Sequence, residues 1–306
     1  MRVSAPVADA LAAGKPVVAL ESSVFAQGLP EPANREACDR MLGAIARHGA
    51  VAAITAVVRG ELVVGLEGAD LERFLARNGI VKVAARDLAA AATLGSDGAT
   101  TVSASLVLAA RAGIRVFATG GIGGVHRGAP FDESADLIEL SRNQVVCVCA
   151  GAKAILDLRA TSERLESLSV PVVGFGTDWL PEFYGAGATI PVGWRVDSPA
   201  QVARLFERHL ALGMPGAVLV GNPPPEDSRL AADVIEAAVE AALHELRSSG
   251  VAGKEVTPAL LASVERATGG SSVATNIALL ESNADLAARI AVALAAPKKT
   301  VELTSA

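Results

Sequence analysis

A lysine follows a run of apolar residues that has the composition of a buried strand. Residues Val145 to Cys149 are β-branched or small and apolar, which is typical of a strand covered on both faces. Gly151 interrupts this run, and Ala154 to Leu158 has helical character, so Lys153 is predicted at the carboxyl end of a core strand. Open α/β sheets bind ligands at that end. A desolvated lysine there can attack a carbonyl carbon and form a Schiff base, whereas a surface lysine near a helix start is the alternative.

Two further charged residues lie at or within predicted strands. Glu21 follows the apolar residues Val17 to Leu20, and a carboxyl group at such a position can serve as a general acid. A loop cap that accepts backbone hydrogen bonds is the alternative. Lys82 lies in the predicted strand Ile80 to Val83, where a buried cation needs a partner. That partner is either a bound phosphate or a local acid such as Asp87.

A glycine-rich segment follows the predicted strand Ile114 to Ala118. Its four glycines, between Gly120 and Gly124, allow the backbone to approach a ligand closely, but they match neither the dinucleotide-binding fingerprint nor the P-loop. His126 lies in the predicted loop that follows. Asp132 and Asp136 are predicted at the start of the next helix, where carboxylates suit Mg²⁺ or Mn²⁺ and where acidic residues also stabilise the helix dipole.

The C-terminal part of the chain is predicted to be mostly helical. Glycine, serine and threonine precede its last helix, between Thr268 and Ser272, and Asn276 follows one or two turns into that helix. A helix N-terminus can bind an anion or a polar ligand, and simple capping explains the same residues equally well.

Composition and charge restrict the class of protein. A net charge of −6 and an aromatic content of 3% argue against a nucleic-acid-binding surface, and no apolar run approaches the roughly 18 residues of a membrane span. The N-terminus lacks the basic and apolar regions of a signal peptide. Three cysteines, of which Cys147 and Cys149 alternate along one strand, indicate a reduced protein without disulfides. We therefore expect a cytoplasmic enzyme or binding protein with a small-molecule ligand.

Strand and helix signals alternate along the 306 residues. This alternation predicts an α/β fold, namely one three-layer α/β/α sandwich with a mostly parallel central sheet, in a single domain over residues 1–306. A TIM barrel is the main competitor, because Schiff-base lysines also suit that architecture. A predicted hairpin of Ala52 to Val58 with Glu61 to Gly65, and the long helical C-terminus, weigh against the barrel. The tail near 297–306 is expected to be frayed.

Taken together, several ordered motifs closely resemble the pseudouridine-5′-phosphate glycosidase family, also described as indigoidine synthase A-like. The resemblance runs from about Val17 to the last helix. Its most specific stretches are ALES, KVAARDL, GATTVSAS, FATGGIGGVHRGA, the aspartate-rich segment to Asp136, CAGAKAILDL, GKEVTP and the TGG…N segment. The chain departs from the family in a slightly shorter loop from His126 to Asp132 and in Ser23, where threonine is common. Neither departure removes a functional group.

The resemblance implies reversible cleavage of the carbon–carbon glycosidic bond of pseudouridine 5′-phosphate to uracil and ribose 5-phosphate. It implies an α/β/α sandwich, a homotrimer, and a divalent cation such as Mn²⁺ or Mg²⁺. By matching motif, Lys153 resembles the nucleophile that forms the Schiff base, Glu21 the proton donor and Asp132 the metal ligand. The positions that resemble substrate-binding residues are Lys82, Val102, Ser134, Ala135, Asp136 and Asn276.

Two other functions stay open on the sequence. A class I aldolase-like lyase that acts on sugar phosphates would use Lys153 as well, but it would not need a uracil pocket. A non-catalytic nucleotide-binding protein would bind its ligand without turnover and would form no adduct that borohydride can trap. Release of uracil from pseudouridine 5′-phosphate separates the proposed glycosidase from both alternatives.

Overall fold

Alternating strands and helices make up residues 1–249 and 256–296, the part of the chain that the computed structural model describes. The strands are β1 (Arg2–Val3), β2 (Val17–Glu21), β3 (Val51–Val58), β4 (Glu61–Val64), β5 (Val81–Val83), β6 (Gly98–Thr100), β7 (Val116–Ala118), β8 (Val125–His126), β9 (Ala129–Glu133), β10 (Val146–Cys149), β11 (Leu156–Asp157), β12 (Val172–Phe175), β13 (Trp194–Val196) and β14 (Val218–Gly221).

The α-helices are α1 (Ala5–Ala12), α2 (Ala33–Arg47), α3 (Gly68–Leu75), α4 (Leu88–Thr93), α5 (Val102–Arg111), α6 (Ala135–Leu140), α7 (Leu158–Ser167), α8 (Pro199–Ala211), α9 (Ala232–Ser249), α10 (Val256–Ala267) and α11 (Ser271–Ala295). A π-helical turn spans Val24–Gly28, and 3₁₀ turns span Ala85–Asp87 and Glu226–Ser228. No helix among the described residues is both long and apolar enough to cross a membrane.

The main sheet is open, with the strand order β1-β4-β3-β2-β7-β10-β14-β12-β13 and with β6 and β5 attached beside β3. Within the described residues its pairings are parallel, except for those of β3 with β4 and with β6. The antiparallel β3–β4 pair is the hairpin that the sequence predicts. The mostly parallel sheet confirms the predicted fold class, and the open sheet rules out the TIM barrel.

Helices cover both faces of this sheet. Helix α11 packs against α2, α8 and strands β2, β7 and β10, whereas α5 packs against α6 and strands β2 and β3. Strand β2 is accordingly buried at every position, as a strand between two helical layers must be. The three-layer sandwich is confirmed. The prediction of one domain stays a prediction, and the tail 297–306 and the beginning of the GKEVTP motif lie outside the described residues.

Four neighbouring parallel strands bring their carboxyl ends to one edge of the sheet. Val146 of β10 aligns with Val116 of β7 and with Val218 of β14, and Phe117 of β7 aligns with Ala19 of β2. Because parallel strands run in the same direction, the residues that follow them emerge together. This edge receives Glu21 and the loop that carries Lys153.

The segment after Lys153 differs from the prediction. Ala154 to Asp157 is not helical, because Leu156–Asp157 pairs antiparallel with β8 in a separate sheet of order β11-β8-β9. The Asp157 side chain then accepts a hydrogen bond from the Ala160 N–H at 2.9 Å and caps α7. The helix therefore begins only at Leu158, since strand pairing outside the local sequence overrides its helical preference.

Asp132 also differs from its predicted position at a helix start. It lies in strand β9, which pairs with β8. Helix α6 begins after Ser134, whose hydroxyl oxygen accepts a hydrogen bond from the Asp136 N–H at 3.2 Å. Of the two aspartates, therefore, Asp136 lies in the first turn and Asp132 does not. Pairing of Val125 with Glu133 holds this segment extended, which the local sequence does not indicate.

Gly151 lies beside the edge of the sheet and gives a test of the backbone packing there. Its φ is +84°, and a Cβ atom at this position would lie 1.9 Å from the Pro181 carbonyl oxygen. Gly113 has a φ of +81° but no atom within 4 Å of such a Cβ. Because both positions carry the same backbone strain, Gly151→Ala should reduce the free energy of unfolding by about 1–3 kcal/mol more than Gly113→Ala. Urea denaturation measures this difference, and equal losses would contradict the packing.

Candidate active site

A cleft at the carboxyl edge of the sheet consists of two adjoining cavities that share Glu21, Ser23, Lys82 and Lys153. The apolar cavity encloses about 480 Å³, including space open to solvent, and its other lining residues are Val24, Gln27, Gly28, Thr119, Gly120, Gly121, Phe183, Leu261 and Asn276. The polar cavity encloses about 920 Å³ by the same measure, and its other lining residues are Ala84, Arg86, Thr101, Val102, Ser103, Gly123, Gly124, His126, Asp132, Glu133, Ser134, Ala135, Asp136 and Leu156.

Glu21 is the last residue of β2 and is only 4% exposed. Both of its carboxyl oxygens have hydroxyl partners: Thr119 Oγ1 donates to Oε1 and Ser23 Oγ donates to Oε2. A hydroxyl group can donate to an ionised carboxyl group and accept from a protonated one. Glu21 is therefore held in one orientation, and its predicted position at a strand end is confirmed.

Lys153 lies four residues beyond the end of β10 and is half-buried. Its backbone N–H donates to the Ile122 carbonyl oxygen at 3.1 Å, and Ala152 pairs with Ile122 in a parallel bridge. These contacts continue the pairing of β10 with β7 beyond the strands themselves. The lysine side chain consequently lines the same cleft as Glu21, although no helix follows it directly.

The two cysteines of β10 lie beneath the cleft and do not line it. Cys147 and Cys149 have no exposed surface. The hydrogen bond with Cys149, together with burial, raises the pKa of the Cys147 thiol well above its ordinary value. A thiol that stays protonated is a poor nucleophile, so Cys147 is not a candidate nucleophile.

Asp136 organises one wall of the polar cavity. Its Oδ1 accepts a hydrogen bond from the Ser103 N–H and its Oδ2 one from the Gly123 N–H, each at 2.8 Å. Ser103 belongs to the first turn of α5, which begins at Val102, so this carboxylate joins α5, α6 and the glycine-rich loop. Both carboxylate oxygens are used by the backbone, which indicates a structural part for this side chain in shaping the cavity.

Asp132 has a more exposed carboxylate, at 56% of its side-chain surface, that is 3.3 Å from His126 Nδ1. His126 Nε2 is buried and has no hydrogen-bond partner within the part of the chain that is described. Nowhere in that part do three or more His, Cys, Asp or Glu side chains form a metal-binding group. Mn²⁺ and Mg²⁺ retain several waters and need only one or two carboxylates. The single carboxylate of Asp132 fits such an ion and does not fit a structural zinc site.

Two side-chain amides line the apolar cavity. Gln27 lies in the π-helical turn, and its Nε2 donates to the Ile80 carbonyl oxygen at 3.2 Å. Asn276 lies in the second turn of α11 and is 6% exposed. Gln27 Oε1 and Asn276 Oδ1 are both buried without a hydrogen-bond partner among the described residues. Unpaired buried acceptors are costly, and they are suited to a ligand that carries N–H groups.

The cations of the cleft are Lys82, Arg86 and Lys153. Lys82 lies in the edge region of the sheet and is half-buried; Val81 beside it is 44% exposed, so β5 is less buried than the sequence indicates. Asp87, the acid considered as its partner, accepts a hydrogen bond from the Ala84 N–H at 3.1 Å and lies 3.6 Å from Arg86. Lys82 and Arg86 make the polar cavity suitable for an anion.

Each residue that the resemblance singles out, therefore, lines this cleft, including Val102 at the start of α5 and Asn276 on α11. The cleft also contains residues that the sequence does not single out, among them Thr119, Gln27, Arg86 and Phe183. Thr119 could have been found, because it directly follows a predicted strand at the same edge as Glu21. Phe183 could not, since it lies in an irregular segment with no local signal.

A buried carboxyl group and a lysine that line one cleft at the carboxyl edge of a parallel sheet define an α/β protein with an enzyme-like cleft. Residues 6–293 match the family model described as indigoidine synthase A like protein. The chain belongs to this family.

Relatives of known name cover nearly the whole chain. A pseudouridine-5′-phosphate glycosidase from Gemmatimonas aurantiaca is 56% identical over 293 residues, 96% of each chain. The protein of the same name from Herpetosiphon aurantiacus is 47% identical over 290 residues, 94% of this chain and 96% of the relative. Because these names are those of an enzyme, the chain is an enzyme of the family.

Two solved structures share the fold. A prealnumycin C-glycosynthase, crystallised with ribulose 5-phosphate, has a TM-score of 0.88 at 40% identity and covers 96% of each chain. An indigoidine synthase A-like protein from Thermotoga maritima has a TM-score of 0.87 at 38% identity, covering 92% of this chain and 94% of that one. The α/β architecture is thus the same as that of the family.

The two aspartates of the polar cavity should respond differently to substitution. Asp136→Ala removes the partner of the Ser103 and Gly123 N–H groups and should cost about 1–3 kcal/mol for each N–H left unpaired. Asp132→Ala removes an exposed side chain and should change the free energy of unfolding by no more than about 0.5 kcal/mol. Denaturation of both variants measures the contrast. Similar stability in the two variants would show that Asp136 does not organise this wall.

Proposed function

We propose that the protein cleaves pseudouridine 5′-phosphate reversibly to uracil and ribose 5-phosphate, with Glu21 as the proton donor and Lys153 as the nucleophile. The observation that carries the proposal is the position of a buried, hydroxyl-bonded carboxyl group at the end of β2 and of a lysine beyond the end of β10, the two strands that flank β7, so that both line one cleft. The names of the relatives, at up to 56% identity over 96% of the chain, support this substrate.

The bond to be broken explains why a lysine is needed. Pseudouridine joins ribose to uracil through carbon, so protonation of a glycosidic nitrogen cannot release the base, and a pair of carboxylates of the ordinary glycosidase type is insufficient. Opening of the ribose ring is the alternative first step. The Glu21 carboxyl group protonates the ring oxygen while electrons of the uracil ring expel it from C1′.

Lys153 then completes the cleavage. Its amine adds to the electrophilic C1′ and forms a carbon–nitrogen bond. Protonation of uracil at C5 allows the bond between C1′ and C5 to break, and the electrons of the lysine nitrogen form an imine. Water hydrolyses this imine, which releases ribose 5-phosphate and restores the amine. Each proton that is consumed in ring opening or at C5 is recovered from the lysine nitrogen and from water.

The two cavities suit the two halves of the substrate. The apolar cavity, with Phe183, Leu261 and two amide side chains, matches a flat base that carries N–H groups. The polar cavity, with Lys82, Arg86 and Ser134, matches a sugar phosphate. Glu21 and Lys153 line both cavities, where the bond between base and sugar would lie.

A divalent cation, Mn²⁺ or Mg²⁺, belongs to the same proposal. Asp132 would hold it through one carboxylate and waters, at the side of the polar cavity. When bound, such an ion neutralises phosphate charge and orients the phosphate and its waters. His126 contacts Asp132 and orients that carboxylate from within the protein. The expected homotrimer and the cytoplasmic location remain predictions.

Uracil release tests the proposed function. The protein should release uracil from pseudouridine 5′-phosphate, and Lys153→Arg, which keeps the charge but removes the nucleophile, should lower kcat by about 10³-fold or more. Lys82→Arg keeps a cation in the polar cavity and should affect KM more than kcat. Chromatographic measurement of uracil is sufficient. A Lys153→Arg variant with near wild-type turnover would refute the assignment, and absence of uracil release by the wild-type chain would refute the reaction.

Metal binding at Asp132 is testable without reference to activity. Asp132→Asn should weaken Mn²⁺ binding about 10-fold or more and leave the melting temperature unchanged, because the side chain is exposed. Electron paramagnetic resonance of free Mn²⁺ measures the affinity. The control is Glu133→Gln, which changes the adjacent carboxylate, an ion-pair partner of Arg164, and should leave the Mn²⁺ affinity intact. An unchanged affinity in Asp132→Asn would place the metal elsewhere.

A further inference from the structure

Asn283 is a fully buried polar residue that does not line the cleft. It lies in α11, two turns after Asn276. Its Nδ2 donates to the Thr119 carbonyl oxygen at 2.8 Å and to the Gly120 carbonyl oxygen at 3.4 Å. Its Oδ1 accepts from Asn222 Nδ2 at 2.9 Å. The whole amide is therefore engaged within the protein, and no part of it is left for a ligand.

This amide joins the ends of β7 and β14, the two strands that flank β10. Thr119 follows β7, and Asn222 follows β14. The Asn222 N–H donates to the Cys149 carbonyl oxygen of β10 at 2.8 Å, and the Gly120 carbonyl oxygen also accepts from the Ala150 N–H at 2.8 Å. Backbone groups that emerge from a sheet lose their regular partners and need others when they are buried. Asn283 supplies such a partner at the strand end that precedes the glycine-rich loop.

The residue whose carbonyl group Asn283 binds, Thr119, also contacts Glu21, the proposed acid. The Thr119 hydroxyl donates to Glu21 Oε1, and Thr119 is only 1% exposed. Asn283 fixes the carbonyl group of the same threonine. We propose that Asn283 is a positioning residue, which acts through Thr119 to hold the Glu21 carboxyl group in its orientation for proton transfer. This inference rests on the proposed function, in which Glu21 opens the ribose ring.

The competing explanation is that Asn283 contributes only to stability. Any buried amide with three hydrogen bonds is costly to remove, so a loss of activity in one variant decides nothing. The two explanations differ in whether the effect of Asn283 on turnover depends on the Thr119 hydroxyl group. If Asn283 acts through the Thr119 hydroxyl, its removal has no further effect on turnover once that hydroxyl is absent.

A double-mutant cycle on uracil release measures this coupling. Asn283→Ala and Thr119→Val should each lower kcat by about 10-fold, with KM changed by less than about 3-fold, and the double variant should resemble the single variants rather than show about 100-fold loss. Thr119→Ser, which retains the hydroxyl group, should restore most of the kcat that Thr119→Val loses.

Asn34 gives a matched control on another helix. It is 1% exposed, and its Nδ2 donates to the carbonyl oxygens of Phe25 at 3.0 Å and Leu75 at 2.9 Å. Asn34→Ala therefore removes the same kind of amide, with a similar loss of stability, but it has no contact with Thr119. Whatever factor Asn34→Ala imposes on kcat should be the same in the wild-type and Thr119→Val backgrounds.

If Asn283→Ala does not fold, Asn222→Ala replaces it in the cycle. This variant removes the donor to Asn283 Oδ1 and leaves Asn283 in place, and its effect on kcat should also disappear in the Thr119→Val background. If Asn283→Ala or Asn222→Ala lowers kcat by the same factor in the Thr119→Val background as in the wild type, the positioning role is overturned while the proposed function stands. A wild-type chain that releases no uracil would instead overturn the proposed function, and this inference with it.

Discussion

The parallel alignment of β2, β7, β10 and β14 is the constraint on which the site depends. Backbone hydrogen bonds between these strands bring their carboxyl ends to one edge, and the pairing continues past the strands where Lys153 N–H donates to the Ile122 carbonyl oxygen. A slip of one residue would turn every side chain of a strand to the opposite face. Glu21 would then leave the cleft and lose its contact with Thr119. Register, rather than any single side chain, determines whether Glu21 and Lys153 line the same cleft.

Buried polar side chains make this edge possible. Where the strands end, their backbone groups are still covered by α11 and α5, and they need partners other than the sheet. Asn283, which the Asn222 side chain holds, supplies such a partner from α11, and Asp136 supplies two at the start of α5 and in the glycine-rich loop. The same residues that satisfy the backbone also shape the cleft. The stability of this edge and the geometry of the site therefore depend on the same set of hydrogen bonds.

The sequence predicts the sheet layer and the two central residues well. Short runs of β-branched and small apolar residues identify β2 and β10 as buried strands. The sequence therefore also predicts that Glu21 and Lys153 lie at the carboxyl ends of these strands. Local patterns fail where distant pairing decides the structure. Residues 154–157 have helical character, but 156–157 join a separate sheet. Asp132 lies in a strand instead of a helix because β8 pairs with β9. The contact of Asn283 with Thr119 spans 164 residues, which no local pattern indicates.

In the proposed reaction, Lys153 forms the covalent bond to the sugar. An imine between a lysine and ribose 5-phosphate is reduced by borohydride to a stable secondary amine, so the intermediate can be trapped in the reverse direction. Peptide mapping by mass spectrometry, after treatment of the protein with ribose 5-phosphate and borohydride, locates this bond. We expect one sugar phosphate per chain, attached to Lys153. An adduct on Lys82, or labelling that persists in Lys153→Arg, would contradict this expectation.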